Sequence, residues 1–269
     1  MIYVTGDCHG NFRRFTKKQL MKLPFEMTER DYVIICGDFG LLWARDKEFE
    51  YNLDRLSKLP FTILWVQGNH ENYDMIREYQ IEEWNGGKVR HIFRDKIILL
   101  ERGQIFTIED KTFFTFGGAS SHDISGGILD KNSPTYKDDY KKLVTSGQPF
   151  RVLNESWWKQ ELPSKKELKE GEKNLDKVGF QVDYVISHCG SNRLQEALER
   201  YYRGINGGMS LIGGLYNQDI LTNYFDELEE KLQYKKWYCG HYHEDFCIDN
   251  KHTILYYNIV PIEDTINNH

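Results

Sequence analysis

The chain has 269 residues, enough to bury the core of one large domain or of two small ones. Hydrophobic residues make up 40% of the sequence and aromatic residues 14%, a composition that is typical of a globular protein and excludes a disordered one. The formal net charge of −6 argues against extended binding to nucleic acid, which needs a broad basic face. No apolar run approaches the roughly 18 residues of a membrane span, so none is predicted.

The five cysteines indicate a reducing compartment, because their number is odd and none shows the C-x-x-C spacing. A strand is predicted directly after Met1, and a candidate site residue follows at position 7, so no signal peptide is expected. These features together predict a cytoplasmic protein.

The first 75 residues alternate between predicted strands and helices. Asn11 is placed to cap a first helix that extends to Leu20, and Asp46 to Leu59 forms a second helix, with apolar residues at helical spacing in both. Strands that are separated by helices favour parallel βαβ units, with functional side chains at the carboxyl ends of the strands. The three strands are predicted at 2–4, 32–35 and 63–66.

Residues 88–118 change character, because short apolar runs follow one another with only turn residues between them. The pattern predicts a β-meander that forms a second sheet or extends the first. Its strands are predicted at 89–93, 96–100, 104–108 and 112–116.

Residues 119–180 are the least regular part, with a helical stretch near 136–146 and a charged helix after the pair Trp157-Trp158. An excursion of this length between core strands predicts a cap or insertion over the site, within a single domain that spans 1–269. The last third returns to α/β alternation. Its strands are predicted near 183–187, 235–239, 245–248 and 253–259.

Five short motifs follow apolar strand-like runs and place Asp, Asn or His at the ends of those runs. One such motif is common turn chemistry, but five with metal-competent side chains are hard to obtain from turn preferences alone. They indicate a two-metal phosphoesterase centre. The motifs are Gly6-Asp7-Cys8-His9-Gly10, Gly37-Asp38-Phe39-Gly40, Gly68-Asn69-His70-Glu71, Ser187-His188-Cys189 and Gly240-His241-Tyr242-His243.

Carboxylate, amide oxygen and imidazole ligands favour Mn²⁺ most, with Fe, Zn²⁺, Co²⁺ or Ni²⁺ as alternatives, over Mg²⁺ or Ca²⁺. Seven ligands build two four-ligand sites if one carboxylate bridges, and Asp38 is the predicted bridge. Two such cations can hold a hydroxide between them and clamp a phosphoryl group for in-line attack. The candidate ligands are Asp7, His9, Asp38, Asn69, His188, His241 and His243.

The series GDCHG, GDFG, GNHE, SH and GHYH resembles the motifs of the calcineurin-like metallophosphoesterase superfamily: GD-x-H, GD-x-x-D, GNH-[DE], H and GH-x-H. The order and spacing agree from residue 6 to residue 243. The resemblance implies an α/β fold, an αββα four-layer sandwich of two mixed sheets with a dimetal centre at the top, over which the insertion would lie.

The resemblance also implies a role for each motif residue. His70 corresponds to the histidine of the family that contacts the phosphate and protonates the leaving group. Asp7, His9, Asp38 and His243 would hold the first metal ion, and Asp38, Asn69, His188 and His241 the second.

Two departures from the family pattern concern the second motif, where Leu41 stands in place of an Asp and Leu42 in place of the Arg of protein-phosphatase relatives. In those relatives the Asp orients the proton-donating His. The partner of His70 is therefore open, with Glu71 or a residue of the insertion as candidates. GGKV, GGAxS and SWW further resemble a bacterial and phage subgroup, which adds little about the substrate.

Three further residues are candidates for substrate binding, each with a structural alternative. His122 reaches the site from the insertion or else caps a turn. Trp157 stacks on a nucleobase or aromatic leaving group, or else anchors the insertion. Arg193 neutralises a phosphate oxygen, or else lies on a helix surface.

The leading hypothesis is metal-dependent hydrolysis of a phosphomonoester or phosphodiester of a small molecule, of which a nucleotide is one candidate. One alternative is a nuclease on the same fold, and a second is a non-enzymatic metal-binding scaffold. Gly207-Gly208 and Gly213-Gly214 lack P-loop spacing, so that type of nucleotide site is disfavoured. The sequence leaves the oligomeric state open.

Overall fold

The computed structural model describes residues 1–205 and 217–263, which contain fifteen strands. Gly207-Gly208 and Gly213-Gly214 lie outside these residues. The strands are β1 (Ile2–Thr5), β2 (Tyr32–Ile35), β3 (Thr62–Trp65), β4 (Glu82–Trp84), β5 (Gly87–Phe93), β6 (Ile97–Leu100), β7 (Gln104–Ile108), β8 (Lys111–Phe116), β9 (Ile128–Leu129), β10 (Arg151–Val152), β11 (Tyr184–Ser187), β12 (Lys236–Cys239), β13 (Phe246–Cys247), β14 (His252–Ile254) and β15 (Val260–Pro261).

The same residues contain seven α-helices and two short 3-10 turns, at Arg13–Phe15 and Lys159–Glu161. No helix in these two ranges is long and apolar enough to cross a membrane. The helices are α1 (Lys17–Leu20), α2 (Lys47–Ser57), α3 (Tyr73–Arg77), α4 (Tyr136–Ser146), α5 (Lys165–Lys177), α6 (Asn192–Ile205) and α7 (Ile220–Lys231).

Two large mixed sheets form the centre of the molecule. The first has the order β15-β1-β2-β3-β6-β5-β4, with β1, β2, β3 and β6 parallel and the remaining strands antiparallel to their neighbours. The second has the order β13-β14-β12-β11-β8-β7, with a parallel centre and antiparallel outer strands. Strands β9 and β10 form a separate parallel pair.

Alternating side chains of the central strands build two hydrophobic layers around each sheet, because successive residues of a strand point to opposite faces. In β2, Ile34 packs between the sheets against residues such as Phe113 and Tyr238. Its neighbour Val33 belongs to the hydrophobic cluster on the other face, which also contains Phe49 of α2. The outer face of the second sheet packs against α5 and α7 in the same way, through residues such as Phe225. The predicted αββα sandwich with two mixed sheets is therefore confirmed.

Two local predictions were wrong. The first predicted helix is a 3-10 turn followed by the four-residue α1, and Asn11 uses its side chain to accept a hydrogen bond from Arg13 N. The predicted meander is divided, because β5 and β6 extend the first sheet while β7 and β8 belong to the second. The crossing residue Arg102 is buried and donates from Nε to Gly117 O and from Nη2 to Tyr73 Oη.

The segment 119–180 contains two different parts. The first part, residues 119–161, includes α4 and the β9–β10 pair and ends with the second 3-10 turn. Helix α5 instead packs on the second sheet, where Leu175 is fully buried with Phe114 and Phe225. The cap function of the segment and the single-domain organisation stay predictions.

Candidate metal centre

The parallel strands of both sheets end at one place, and the five predicted motifs meet there. In the first sheet, Asp7 follows β1, Asp38 follows β2 and Asn69 follows β3. In the second sheet, His188 follows β11 directly, and His241 and His243 follow β12. Side chains of both sheets thus form a single cluster, as expected where neighbouring parallel strands end together.

Two motif glycines allow this close approach. A Cβ atom at Gly68 would lie 1.9 Å from Asp38 Oδ1, and one at Gly240 would lie 2.1 Å from Asp7 Oδ1. Any side chain at these positions would displace a buried carboxylate, so the glycines are required by the packing of the ligands.

The backbone at the cluster is strained, because four of the seven candidate ligands have positive φ. Non-glycine residues adopt this region rarely, at a cost of about 1–3 kcal/mol each, and such residues concentrate at functional sites. The φ angles are 47° at His9, 46° at Asp38, 70° at His241 and 55° at His243.

The first group of ligands surrounds Asp7. His243 Nε2 lies 3.2 Å from Asp7 Oδ2 and 2.9 Å from His9 Nε2. His9 Nε2 is also 3.6 Å from Asp7 Oδ2 and 3.6 Å from Asp38 Oδ2. Four potential ligand atoms therefore converge on one small volume.

The second group lies on the other side of Asp38. His188 Nε2 is 3.4 Å from Asp38 Oδ1 and 3.1 Å from Asn69 Oδ1, and the His241 ring lies 5.0 Å from the His188 ring. The two oxygens of Asp38 thus face different groups of ligands. This geometry fits the bridging role that was predicted for Asp38.

Contacts outside the cluster fix the ligand atoms. His188 Nδ1 donates to Cys36 O over 2.7 Å, which directs Nε2 toward the cluster. Asn69 Nδ2 donates to Ser121 Oγ over 3.3 Å, so its Oδ1 faces inward. Ser121 is held in turn by Glu161, whose carboxylate accepts from Ser121 Oγ over 2.7 Å.

The electrostatics suit bound cations. Asp7 and Asp38 are only 1% exposed, and although burial raises their pKa values, the charge of His188 holds both below the ordinary range. Burial lowers the pKa of His188, but the charges of Asp38 and Asp7 raise it to about 9. Buried ionised carboxylates need compensating positive charge. The residues present therefore fit divalent cations in donor chemistry and in charge.

His70 lies beside this cluster, and its backbone N–H donates to Asp38 Oδ1 over 2.7 Å. Arg151 Nη2 lies 3.1 Å from its Nδ1 and 3.4 Å from its Nε2, within hydrogen-bond distance of both ring nitrogens. Burial lowers the pKa of His70; the charge of Asp38 opposes this decrease and that of Arg151 adds to it. Glu71 is buried elsewhere and accepts from Phe39 N over 2.9 Å.

Arg151 and Asp123 were missed by the sequence analysis. Arg151 Nε donates to Asp123 Oδ1 over 3.1 Å, and Nη2 donates to Asp123 Oδ2. Both residues belong to the insertion, and 28 positions separate them. The position of Asp123 directly after His122 was a weak indication of a functional residue. Nothing in the sequence distinguishes Arg151 from the other arginines.

The sequence matches the calcineurin-like phosphoesterase family over residues 1–245, a range that contains every candidate ligand. The chain belongs to this family. No curated protein matches it. Among solved structures, it is similar to a phosphopantetheinyl hydrolase from Mycobacterium tuberculosis, with 14% identity and a TM-score of 0.46 over 95% of this chain and 89% of the other.

The remaining candidates of this calcineurin-like phosphoesterase occupy three different surroundings. The ring of His122 is half-buried and lies 5.7 Å from the ring of His241, at the edge of the cluster. Trp157 donates from Nε1 to Glu161 Oε1 over 2.7 Å. Arg193 is exposed on α6, where its guanidinium pairs with Glu230. Roles for all three in substrate binding stay predictions.

Proposed function

We propose that this calcineurin-like phosphoesterase hydrolyses a phosphate ester of a small molecule at a two-metal centre. The observation that carries the proposal is the position of Asp38, whose Oδ2 lies 3.6 Å from His9 Nε2 while Oδ1 lies 3.4 Å from His188 Nε2. One buried carboxylate between two groups of nitrogen and oxygen ligands is suited to two cations rather than one.

Each proposed ion would be held by one of the two groups of side chains that lie on either side of Asp38. Bound there, two divalent ions would lower the pKa of water and neutralise phosphoryl charge. The mixed donors favour Mn²⁺, with Fe, Zn²⁺, Co²⁺ or Ni²⁺ as alternatives. Asp7, His9, Asp38 and His243 would hold one ion, and Asp38, Asn69, His188 and His241 the other.

His70 would assist departure of the leaving group by donating a proton to the departing oxygen. Full proton transfer needs the charged ring, which Arg151 disfavours. A bound phosphate anion would offset the guanidinium charge and so favour protonated His70. A correctly placed proton donor of this kind accelerates reactions by about 10²–10⁴-fold.

The net charge of −6 argues against the nuclease alternative, because nucleic-acid binding needs a basic surface. The intact ligand cluster together with His70 argues against the scaffold alternative, because binding alone does not require a proton donor. The cytoplasmic location also stays a proposal, supported by five buried cysteines that are all free.

The proposal is tested by metal titration of chelator-treated protein, with metal content and release of 4-nitrophenol from 4-nitrophenyl phosphate measured together. We expect two ions per chain at saturation and activity that depends on them. Asp38→Asn should lower occupancy of both positions, whereas Asp249→Asn, on an exposed turn, should change neither. One ion at saturation would contradict the bridging role. Two ions without hydrolysis of any phosphate ester would favour the scaffold.

A further inference from the structure

The insertion places a guanidinium at the edge of the metal centre. We propose that Arg151, held in place by Asp123, binds a non-bridging oxygen of the substrate phosphate and gives the enzyme a preference for phosphomonoesters over phosphodiesters. This inference rests on the proposed function and deepens it. Arg151 would contact the substrate directly, while Asp123 would be a positioning residue.

The position of the guanidinium is the first argument. Arg151 Nη2 lies 3.1 Å from His70 Nδ1 and 3.4 Å from His70 Nε2. Potential ligand atoms of His70, His9 and Asp38 lie within 4.8 Å of one another, so Arg151 adjoins the cluster. An anion bound between the ligand groups and His70 would be within reach of this side chain.

The hydrogen bonds of Arg151 are the second argument. Its described contacts use Nε and Nη2, on Asp123 and His70. Within residues 1–205 and 217–263, Nη1 makes no hydrogen bond and is available for a phosphate oxygen. A guanidinium donates from several nitrogens in one plane, so it can keep its carboxylate partner while binding an anion.

The burial of the pair is the third argument. The side chain of Arg151 is 16% exposed and that of Asp123 is 36% exposed, so water screens the guanidinium only partly. Asp123 offsets the positive charge before substrate binds and restricts the long side chain to one orientation. Preorganisation of this kind reduces the entropy that is lost on binding.

The number of cationic groups indicates the substrate class. A phosphomonoester has three non-bridging oxygens, whereas a diester has two. Two divalent ions could contact two of these oxygens, and Arg151 would contact the third. On a diester, Arg151 would face an esterified oxygen that carries no comparable charge.

The experiment compares two esters with the same leaving group, 4-nitrophenyl phosphate and methyl 4-nitrophenyl phosphate, in the Mn²⁺-loaded protein. The variants are Arg151→Met, Arg151→Lys and Asp123→Asn. Arg203→Met is the matched control, because Arg203 also pairs with a carboxylate, Glu199, but on the exposed face of α6. Metal content and thermal unfolding are recorded for each protein.

Loss of a charged hydrogen bond predicts a decrease of about 10- to 100-fold in kcat/KM for the monoester in Arg151→Met, mostly through KM. The diester rate should change less than about threefold. Arg151→Lys should recover part of the loss, Asp123→Asn should raise KM with little change in kcat, and Arg203→Met should match the parent protein. Calorimetry with inorganic phosphate should show weaker binding to Arg151→Met at unchanged metal content.

Equal losses on both esters, or unchanged phosphate binding, would overturn the inference while leaving the proposed function intact. Failure of the parent protein to hydrolyse either ester would instead count against the proposed function. If Arg151→Met does not fold, Arg151→Lys and Asp123→Asn decide the question through the same monoester-to-diester ratio.

Discussion

His70 differs from an isolated imidazole because the guanidinium of Arg151 and the candidate metal ligands both lie against its ring. Arg151 Nη2 lies within hydrogen-bond distance of both ring nitrogens, and the backbone contact with Asp38 fixes the position of the residue. Its contribution should therefore depend on the leaving group, because an acidic phenol departs easily without a proton while an alkoxide does not.

His70→Asn should retain both metal ions and lose little activity on 4-nitrophenyl phosphate. On an alkyl phosphate with the same charge, its rate should decrease by about 10²–10³-fold, within the range of general acid catalysis. The measurement is the ratio of the two rates in the mutant and in the parent protein. If both rates decrease equally with metals still bound, His70 positions the phosphate and another residue, such as His122, is the acid.

Glu161 is a second residue with unusual chemistry, because it is 2% exposed in the insertion. Burial raises its pKa to about 7, even though Ser121 and Trp157 donate hydrogen bonds to the carboxylate. The folded protein therefore holds this proton more tightly than the unfolded chain. Its contribution to stability is complete below the unfolded pKa of 4.5 and decreases as the pH rises toward about 7.

Glu161→Gln cannot ionise, so the difference in melting temperature between this variant and the parent should shift in favour of the variant from pH 4.5 to about pH 7 and then level off. Chelator is present throughout, so that metal binding does not contribute. Glu167→Gln is the control variant, because the carboxylate of Glu167 belongs to the capping box at the exposed start of α5. A difference for Glu161→Gln that is constant with pH would contradict the raised pKa.

Trp158 attaches the insertion to α3 and to Trp43. This side chain is 2% exposed, donates from Nε1 to Asp74 Oδ2 of α3 over 2.8 Å, and packs edge-on against Trp43 with 5.8 Å between ring centroids. The neighbouring Trp157 bonds to Glu161 within the insertion instead. The two neighbouring tryptophans therefore have different roles: Trp158 contacts α3, and Trp157 contacts Glu161 within the insertion.

Trp158→Ala should destabilise the protein by about 3–5 kcal/mol, the usual cost of removing a buried Trp, whereas Trp157→Ala should cost less because that ring is only half-buried. Urea unfolding measures the free energies. Trp157→Ala should in turn change the ranking of phosphate esters more than the rate on 4-nitrophenyl phosphate. If Trp158→Ala unfolds at the same urea concentration as the parent, the anchoring role is wrong.

The meeting of the candidate ligands at one place could be predicted from the sequence, because each of these residues lies within a few positions of an apolar strand. The division of residues 88–118 between two sheets could not, because β6 and β7 have similar apolar patterns and only the buried Arg102 marks the crossing. The Asp123–Arg151 pair could not be predicted either. Leu41 and Leu42 showed that a partner of His70 was missing, but its location depends on how the insertion folds.

The candidate metal centre lies between the two sheets of the molecule, and each sheet supplies part of it. Asp7, Asp38 and Asn69 come from the first sheet, and the imidazoles of His188 and His241 from the second. His188 already joins the sheets through its hydrogen bond to Cys36 O. Bound ions would add links between the same two sheets, so stability and metal content should change together.

Metal at about 100 times its dissociation constant should stabilise the fold by about 2.7 kcal/mol per independent site, which corresponds to a rise of roughly 5–10 °C in the melting temperature. Differential scanning calorimetry with Mn²⁺ and with chelator measures the effect. Asp38→Asn should remove most of it. A melting temperature that is independent of Mn²⁺, in protein shown to bind it, would mean that the ions do not connect the sheets.

His9 and His243 illustrate how the centre depends on the complete fold, since their Nε2 atoms are 2.9 Å apart and their positions in the chain differ by 234. The first three motifs are synthesised long before the last one, and they would form only part of each coordination sphere. A nascent chain would hold metal weakly until β12 has joined the second sheet. Metal binding would therefore be a late event of folding. The ions would bind the folded structure and would not direct its formation.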